Sequence, residues 1–567
     1  MAIMTRAPRW IPRRCGLCQC DFSLGAVLVP TYPDGELLQP FLYDQEFVSD
    51  SEFTRHVRRQ YTFPDDCIVV VCDSECVRFL NFKPHNFWQI VAYTFEPSLS
   101  EKKRRFAWLH SHLASRITLP QPYLPTELRN EIARYLVREY SVTKAIKNWL
   151  TFQVPIDICI DISIRIWVRY VEFEGVKYIA TLTNGPCTNG TLLITYSEVN
   201  DIYILEDHLG IRQIHFIFPA HIPLIPGTWW RTLSRSSNMQ DTNLQGKTDG
   251  FKLRDLTWSN VNYTQRSRRL AWDILPLPAS TIRYHGFGGM ALRMASVPYN
   301  TLTVTGYSFC WNDQLRSIHA HTKGSSFYES TSRVGDVWLY MPIDPGEYII
   351  EIWMRHRRLP REMALVLRTS TGRVMIAGPQ KGRAWPACAW SLLDTPENLP
   401  NRMYFEHSPR GIHEFGFETP LPAPRESAFV PVPESPYPES TSVEDFFHTS
   451  ASLDGVVAVT PCRVKQGDIT NFTGMLLHYE NGHKVAVGQI KFDCLDDTFR
   501  ISPSETLLLG FSTTNGYPYV ASIQLSPLRK DNMVYLNVPW YGQIEWWFSC
   551  RQCKIYCNGE ASIPTIF

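Results

Sequence analysis

Two stretches near the C-terminal end decide the fold: LVLRTSTGRVMIAGP, Leu365 to Pro379, and MLLHYENGHKVAVGQ, Met475 to Gln489. Aligned without gaps, they share Leu367 with Leu477, Gly372 with Gly482 and Gly378 with Gly488. Each reads as an apolar strand, a polar turn closed by glycine, a second strand and a second glycine. Glycine after Thr371 or Asn481 supplies the positive φ that a tight hairpin turn demands. The last two hundred or so residues are therefore expected to be β, and the pair suggests a duplicated unit. One detail resists a simple tandem. The Trp-bearing strand EIWMR (Glu351 to Arg355) precedes the first hairpin, whereas its counterpart EWWFS (Glu545 to Ser549) follows the second.

Working outward, the same β-branched and aromatic richness recurs in LGIRQIHFIFP, YNTLTVTGYSFCW and VWLYMPI. RIWVRYVEFEGVKYIATLTN (Arg165 to Asn184) reads as a hairpin turning at Glu174-Gly175. The expected fold class is mainly β, with antiparallel sheets in a sandwich- or barrel-like arrangement, a small N-terminal α+β module bearing cysteines, and a short helical segment.

A chain of 567 residues exceeds a single core. Composition shifts divide it into a Cys-bearing module at 1–95, a helical segment at 96–150 and a large antiparallel β domain at 151–417. A Pro-rich linker at 418–449 and a second β block at 450–567 complete it. Ser234 to Gly250, polar throughout, reads as a long loop. With 56 basic against 55 acidic side chains there is no bulk pull toward nucleic acid or anionic membrane. No apolar run is long enough for a membrane-spanning helix. The basic opening MAIMTRAPRWIPRR leads into no apolar segment of the secretory kind. The 15 cysteines are accordingly read as reduced thiols of a cytoplasmic or nuclear protein.

Two helices are legible. SLSEKKRRFAWLHSHL opens with Ser98 and Glu101 at capping-box spacing, and Phe106, Leu109 and Leu113 are expected on one face. LPTELRNEIARYLVREY (Leu124 to Tyr140) places Pro125 in a first turn and Leu128, Ile132, Tyr135 and Leu136 in a stripe. This second helix resembles the opening of an F-box, with Leu124, Pro125, Glu127, Leu128, Ile132 and Leu136 at the matching positions. That resemblance implies docking on the Skp-type adaptor of a cullin–RING ubiquitin ligase, the helix face lying in an apolar groove while a protein substrate is held elsewhere. The later tryptophan of the family could only be Trp149, and the second half of the motif is degenerate. The plain alternative is an amphipathic helix buried in its own domain.

CGLCQC (Cys15, Cys18, Cys20) contains a C-x2-C knuckle, and Cys72 and Cys76 follow about fifty residues on. Structural zinc takes four thiolate or imidazole ligands from two short-spaced pairs, so Cys15, Cys18, Cys72 and Cys76 are the candidate set, with His85 as a substitute. The alternative is buried free thiols. Cys553 and Cys557 share one strand face while Cys550 points to the other, which favours core packing over metal binding. His319 and His321 lie on one face of a strand, where a polar face is expected rather than a metal site. RHRRLPR (Arg355 to Arg361) and EKKRR (Glu101 to Arg105) are solvated clusters without interleaved aromatics. GFGGM (Gly286 to Met290) is a flexible turn, and no P-loop, nucleophile elbow or HExxH is present.

Taken together, CGLC, LPTELRNEI, SIHAHT, VWLYMPIDPGEYIIEIWMR, LVLRTSTGRVMIAGP, GMLLHYENGHKVAVGQ and GQIEWWFS resemble a family of fungal proteins of uncharacterised activity. In many members a Cys-His-Cys arrangement follows the first knuckle; CDSEC (Cys72 to Cys76) departs from it. The hairpin with TxxGR followed by GP is similar to a strand pair of jacalin-type lectins, which build a β-prism sugar site. The expected function is a non-enzymatic intracellular interaction protein, an F-box-like substrate adaptor. The alternative is a lectin-like β protein, with a Trp- or Tyr-lined pocket beside Gly372 or Gly482.

Overall fold

A computed structural model describes residues 9–12, 14–31, 40–43, 53–56, 70–80, 95–117, 124–151, 154–194, 199–220, 222, 225–235, 243–259, 270–277, 282–286, 293–323, 335–356, 363–380, 389–408, 411–420, 422–423, 430–438, 444–466, 469–502, 504–525 and 533–565. Strands take up half of the chain and helices 12%, so the fold is mainly β, as expected. The chain divides into two compact units, Met1–Pro278 and Ala279–Phe567. The division falls inside the stretch 151–417 that composition groups as one domain. Among the described residues, no helix is long and apolar enough to cross a membrane.

In the first unit a small sheet sets Val27–Thr31 between Phe41–Leu42 and Val70–Asp73. The helix Leu99–Ala114 is capped by Ser98, whose hydroxyl accepts from Glu101 N–H at 3.3 Å. Its inward face differs from the expected one. Leu109 is buried, but Phe106 is exposed and Arg105 takes the inward position. Arg105 can do so because Glu174 meets it in a buried ion pair and Ser141 accepts from it at 2.7 Å.

The β part of this unit has three groups of strands. Ile166–Phe173 lies between Val176–Thr183 and Gly190–Ile194, while Asn243–Thr248 lies between Leu253–Trp258 and Asp157–Asp161. A third group runs Gly210–His215, Asp201–Asp207, Trp229–Ser234, Ala271–Trp272. The first hairpin turns where expected, with Glu174 and Gly175 at φ 50° and 76°. The polar stretch Ser234 to Gly250 is not all loop: its end forms a central strand, because Leu244, Gly246 and Thr248 alternate inward. Ile160, Ile166, Val168, Ile204, Leu244 and Leu256 belong to the shared core.

The second unit holds two successive sets of antiparallel strands. In the first set, the sheet orders are 293–299, 401–406, 414–417, 283–286; then 314–322, 304–312, 337–342; then 374–377, 364–369, 349–356, 389–394. The second set holds a four-stranded sheet, 447–452, 543–548, 553–557, 560–561, and a seven-stranded one in the order 499–500, 456–466, 469–479, 517–525, 507–514, 534–538, with 484–488 also pairing 469–479. The last sheet of the first set has a Greek-key order, three consecutive strands with the fourth returning beside the first, and the four strands from 456 to 500 repeat that order within the seven-stranded sheet. One continuous core runs through both sets and includes Phe309, Leu367, Phe415, Leu477 and Trp546.

The twin hairpins match in register as well as in sequence. Leu365 pairs Ala377 and Leu367 pairs Met375; at the equivalent positions Met475 pairs Val487 and Leu477 pairs Val485. Gly372 and Gly482 have φ 86° and 82°, and each N–H donates to the residue three back, Thr369 or Tyr479, at 3.0 Å. The preceding strands even bulge at the same place, between Ile349 and Glu351 and between Val456 and Ala458. The displaced Trp strand is also accounted for. Gln543–Phe548 sits in another four-stranded sheet, flanked by Phe447–Ser452 and Cys553–Cys557. Ile352 and Trp546 join the central core, while Trp353 and Trp547 are buried outside it.

The Pro-rich segment packs against these outer tryptophans. Val430 contacts the Trp353 cluster, and Ser435 Oγ accepts from Trp547 Nε1 at 2.8 Å. The Glu434 and Ser435 amides each donate to the Glu545 carboxylate at 2.8 Å. Within the expected linker, residues 430–438 thus form a strap laid on the second unit. Cys553 and Cys557 are buried in the core while Cys550 is exposed.

Candidate metal centre

The N-terminal knuckle forms because residues 15–20 close on themselves. Cys15 N–H donates to Cys20 O and Gln19 N–H to Cys15 O, both at 2.9 Å, with Gln19 at φ 57°. Gly16 N–H donates to Val71 O at 3.0 Å, which fastens the loop to the strand Val70–Asp73. That strand carries Cys72. It runs straight into the helix Ser74–Arg78, capped by Asp73, and the helix carries Cys76.

The ligand atoms of Cys15, Cys18 and Cys76 lie within 4.8 Å of one another. Cys72 joins them through a hydrogen bond to Cys15, and all four residues are buried. Each sulfur also accepts a hydrogen bond from an N–H group. Asp73 N–H reaches Cys15 Sγ at 3.4 Å, Cys20 N–H reaches Cys18 Sγ at 3.4 Å, and Leu17 N–H reaches Cys72. Arg138 Nε reaches Cys76 Sγ at 3.3 Å. Donors converging on sulfur favour the thiolate over the thiol.

The charges agree. Burial pushes the Cys15 thiol up, but hydrogen bonds from the other three thiols and from Asp73 outweigh it and hold it well below its ordinary value. Cys72 and Cys76 are pushed up, first by their hydrogen bonds to Cys15. Arg138 bridges Cys76 and the Asp73 carboxylate.

The donor set fits zinc. Tetrahedral Zn–S bonds of about 2.3 Å place sulfurs about 3.8 Å apart, inside the spread of the cluster. Binding would release the remaining thiol protons. Of the expected ligands, Cys15, Cys18 and Cys76 come together, and Cys72 adjoins them at Cys15; His85 lies outside the described residues. Cys20 adds a half-buried fifth thiol whose ionisation is opposed first by its hydrogen bond to Cys18 and then by burial.

The long helix Thr126–Thr151 braces this site. Ser141 Oγ donates to Cys18 O at 3.2 Å, and Arg138 makes the contacts above. Sequence reading missed both, because nothing in their spacing relates them to cysteines some sixty and 120 residues earlier. The helix buries Ala133, Val137, Ser141 and Val142. The stripe expected from sequence lies on another face: Leu128 is 52% exposed, Leu136 44% and the neighbouring Tyr135 75%. Pro125 and Glu127 are exposed, and Leu124 and Ile132 are half-buried.

His319 and His321 do not occupy a polar face. Their rings lie 4.7 Å apart, and His321 packs on Phe492 and Tyr340 with its Nε2 2.7 Å from Ser308 Oγ. Burial lowers their pKa values to about 4 and about 3, so both are neutral. The outer tryptophans Trp353 and Trp547 are buried and present no ring face to a sugar. GFGGM beyond Gly286 and most of RHRRLPR lie outside the described residues.

No family model and no curated protein matches the chain. Among solved structures, the chain is similar to a crystal structure of lamprey immune protein at 11% identity and a TM-score of 0.18. That match covers 52% of this chain and 93% of the other. At that score the likeness carries no argument about fold or function.

Proposed function

We propose that this chain is a non-enzymatic protein-interaction protein that docks a partner through the outward face of the helix Thr126–Thr151. Its partner, by the F-box-like pattern, is the Skp-type adaptor of a ubiquitin ligase. One observation carries the reading: Leu128, Tyr135 and Leu136 are exposed together, although each is apolar and the same helix has a separate buried face. Exposed apolar side chains spaced eight residues apart on one helix form the anchor pattern that seats a helix in a groove. The four-cysteine knuckle serves as a structural zinc site in this scheme. Arg138 and Ser141 tie it to the buried side of the helix and so fix which face points out.

The test mixes the purified full chain with a purified Skp-type adaptor and measures binding by calorimetry. Binding in the micromolar range or tighter, lost in L128E/L136E, supports the reading. No heat of binding, or binding unchanged in that variant, removes it.

A further inference from the structure

We infer that the first unit binds a small organic anion with an apolar body, at a site separate from both the knuckle and the docking face. A cavity of about 490 Å³ opens where the strands Ile166–Phe173 and Gly190–Ile194 approach Gly210–His215. Its volume lies in the range of small-molecule sites. Ile214 and Phe216, which line it, belong to the unit's hydrophobic core, and Tyr170 and Leu193 pack against that core. Ile217, also in the lining, is 56% exposed, and Tyr170 and Leu193 are half-buried, so apolar surface is left open there and burial of a hydrocarbon or aromatic body is favourable.

Two cations stand in the lining. Lys177 Nζ lies 4.1 Å from the centroid of the Tyr170 ring and is otherwise exposed. Arg212 has Asp207 as a distant carboxylate at 3.9 Å. That carboxylate is already engaged by Tyr178 OH at 2.7 Å and by Leu209 N–H at 2.8 Å. Arg212 therefore keeps most of its charge for another anion. Among the described residues no Asp or Glu lines the cavity; Glu172 faces Lys177 across the ladder but is not part of the lining. His215 also lines the cavity, and burial lowers its pKa, so it adds a neutral hydrogen-bonding group. Two cations over an apolar floor, without a carboxylate, select an anionic head on an apolar body. A cationic ligand would meet the positive charges of Lys177 and Arg212 and is disfavoured.

Three probes of equal chain length separate the contributions: decanoate, decanol and decyltrimethylammonium, each titrated into the full chain by calorimetry. Decanoate is expected to bind at least about tenfold tighter than the other two, the size of one well-placed charged contact. Lys177→Glu and Arg212→Glu should each weaken decanoate about tenfold while decanol is unchanged. Leu193→Asp should weaken both. Thermal unfolding of each variant checks folding, with Lys177→Gln as the milder substitution. Three probes of equal affinity, decanoate binding unchanged in both Lys177→Glu and Arg212→Glu, or no binding of decanoate at about 1 mM would each overturn the inference.

Discussion

Arg373 and His483 occupy the same position in the two hairpins and converge on one carboxylate, Asp344. Arg373 lies 3.7 Å from Asp344 Oδ2, and His483 Nδ1 pairs with the same oxygen. Arg373 also donates to Lys484 O, at the start of the other hairpin's second strand, at 2.9 Å and pairs with Glu347. Equivalent residues of two equivalent turns thus form one junction, which joins the two sets of sheets.

The side chain of Glu347 is almost wholly buried, at 1% exposure, and Arg373 is its counter-ion. Arg373→Ala leaves that carboxylate without a cation, and the variant should lose about 3 kcal/mol of stability. Urea unfolding of the full chain checks this, with Arg373→Lys retaining part of the stability.

The same carboxylate predicts an acid-sensitive stability. Burial pushes Glu347 up, but hydrogen bonds from Arg373, Thr369 and Thr371 hold it at about 2, below its ordinary 4.5. A depressed folded-state value means the contribution is complete above pH 4.5 and is lost as pH falls toward 2. The urea midpoint should fall across that window in the wild type, and less steeply in Glu347→Gln.

His319 and His321 act at higher pH. Their folded values of about 4 and 3 lie below the ordinary 6.5, so the unfolded chain binds the extra protons. Stability should rise with pH from about 4 and level off above 6.5. In His321→Gln the slope over that interval should drop by up to about 1.4 kcal/mol per pH unit.

The knuckle predicts one zinc per chain by elemental analysis. Cys18→Ser and Cys72→Ser should lose the metal, whereas Cys553→Ser, in the core of the other unit, should retain it. Chelation at neutral pH should lower the helical circular dichroism signal, because Arg138 and Ser141 lose part of what they grip.

The exposed stripe makes a contrast testable without any partner. Leu128→Glu and Leu136→Glu should change stability by no more than about 0.5 kcal/mol. Val137→Glu, one residue along and buried at 3% exposure, should cost several kcal/mol by placing an unpaired charge in the interior. Thermal unfolding distinguishes the two outcomes.

What the sequence determined by itself was local. The Ser98 cap, the Glu174-Gly175 turn and the glycines of the twin hairpins depend on backbone conformation and hydrogen bonds within a few residues, so they are legible without a fold. The C-x2-C knuckle is local in the same sense. Tertiary structure decided which faces are inside. Phe106 gave way to Arg105 because Glu174, almost seventy residues away, supplies the buried counter-charge. On the long helix, Leu128 and Leu136 form as good an apolar stripe as Val137 and Val142. Only contacts from distant segments could choose between them. The same holds for the three clustered thiols, for the strap over Trp547 and for Arg373 and His483 sharing Asp344. Burial and ion pairing are pairwise properties of groups remote in sequence, and a linear pattern records each partner without recording the pair.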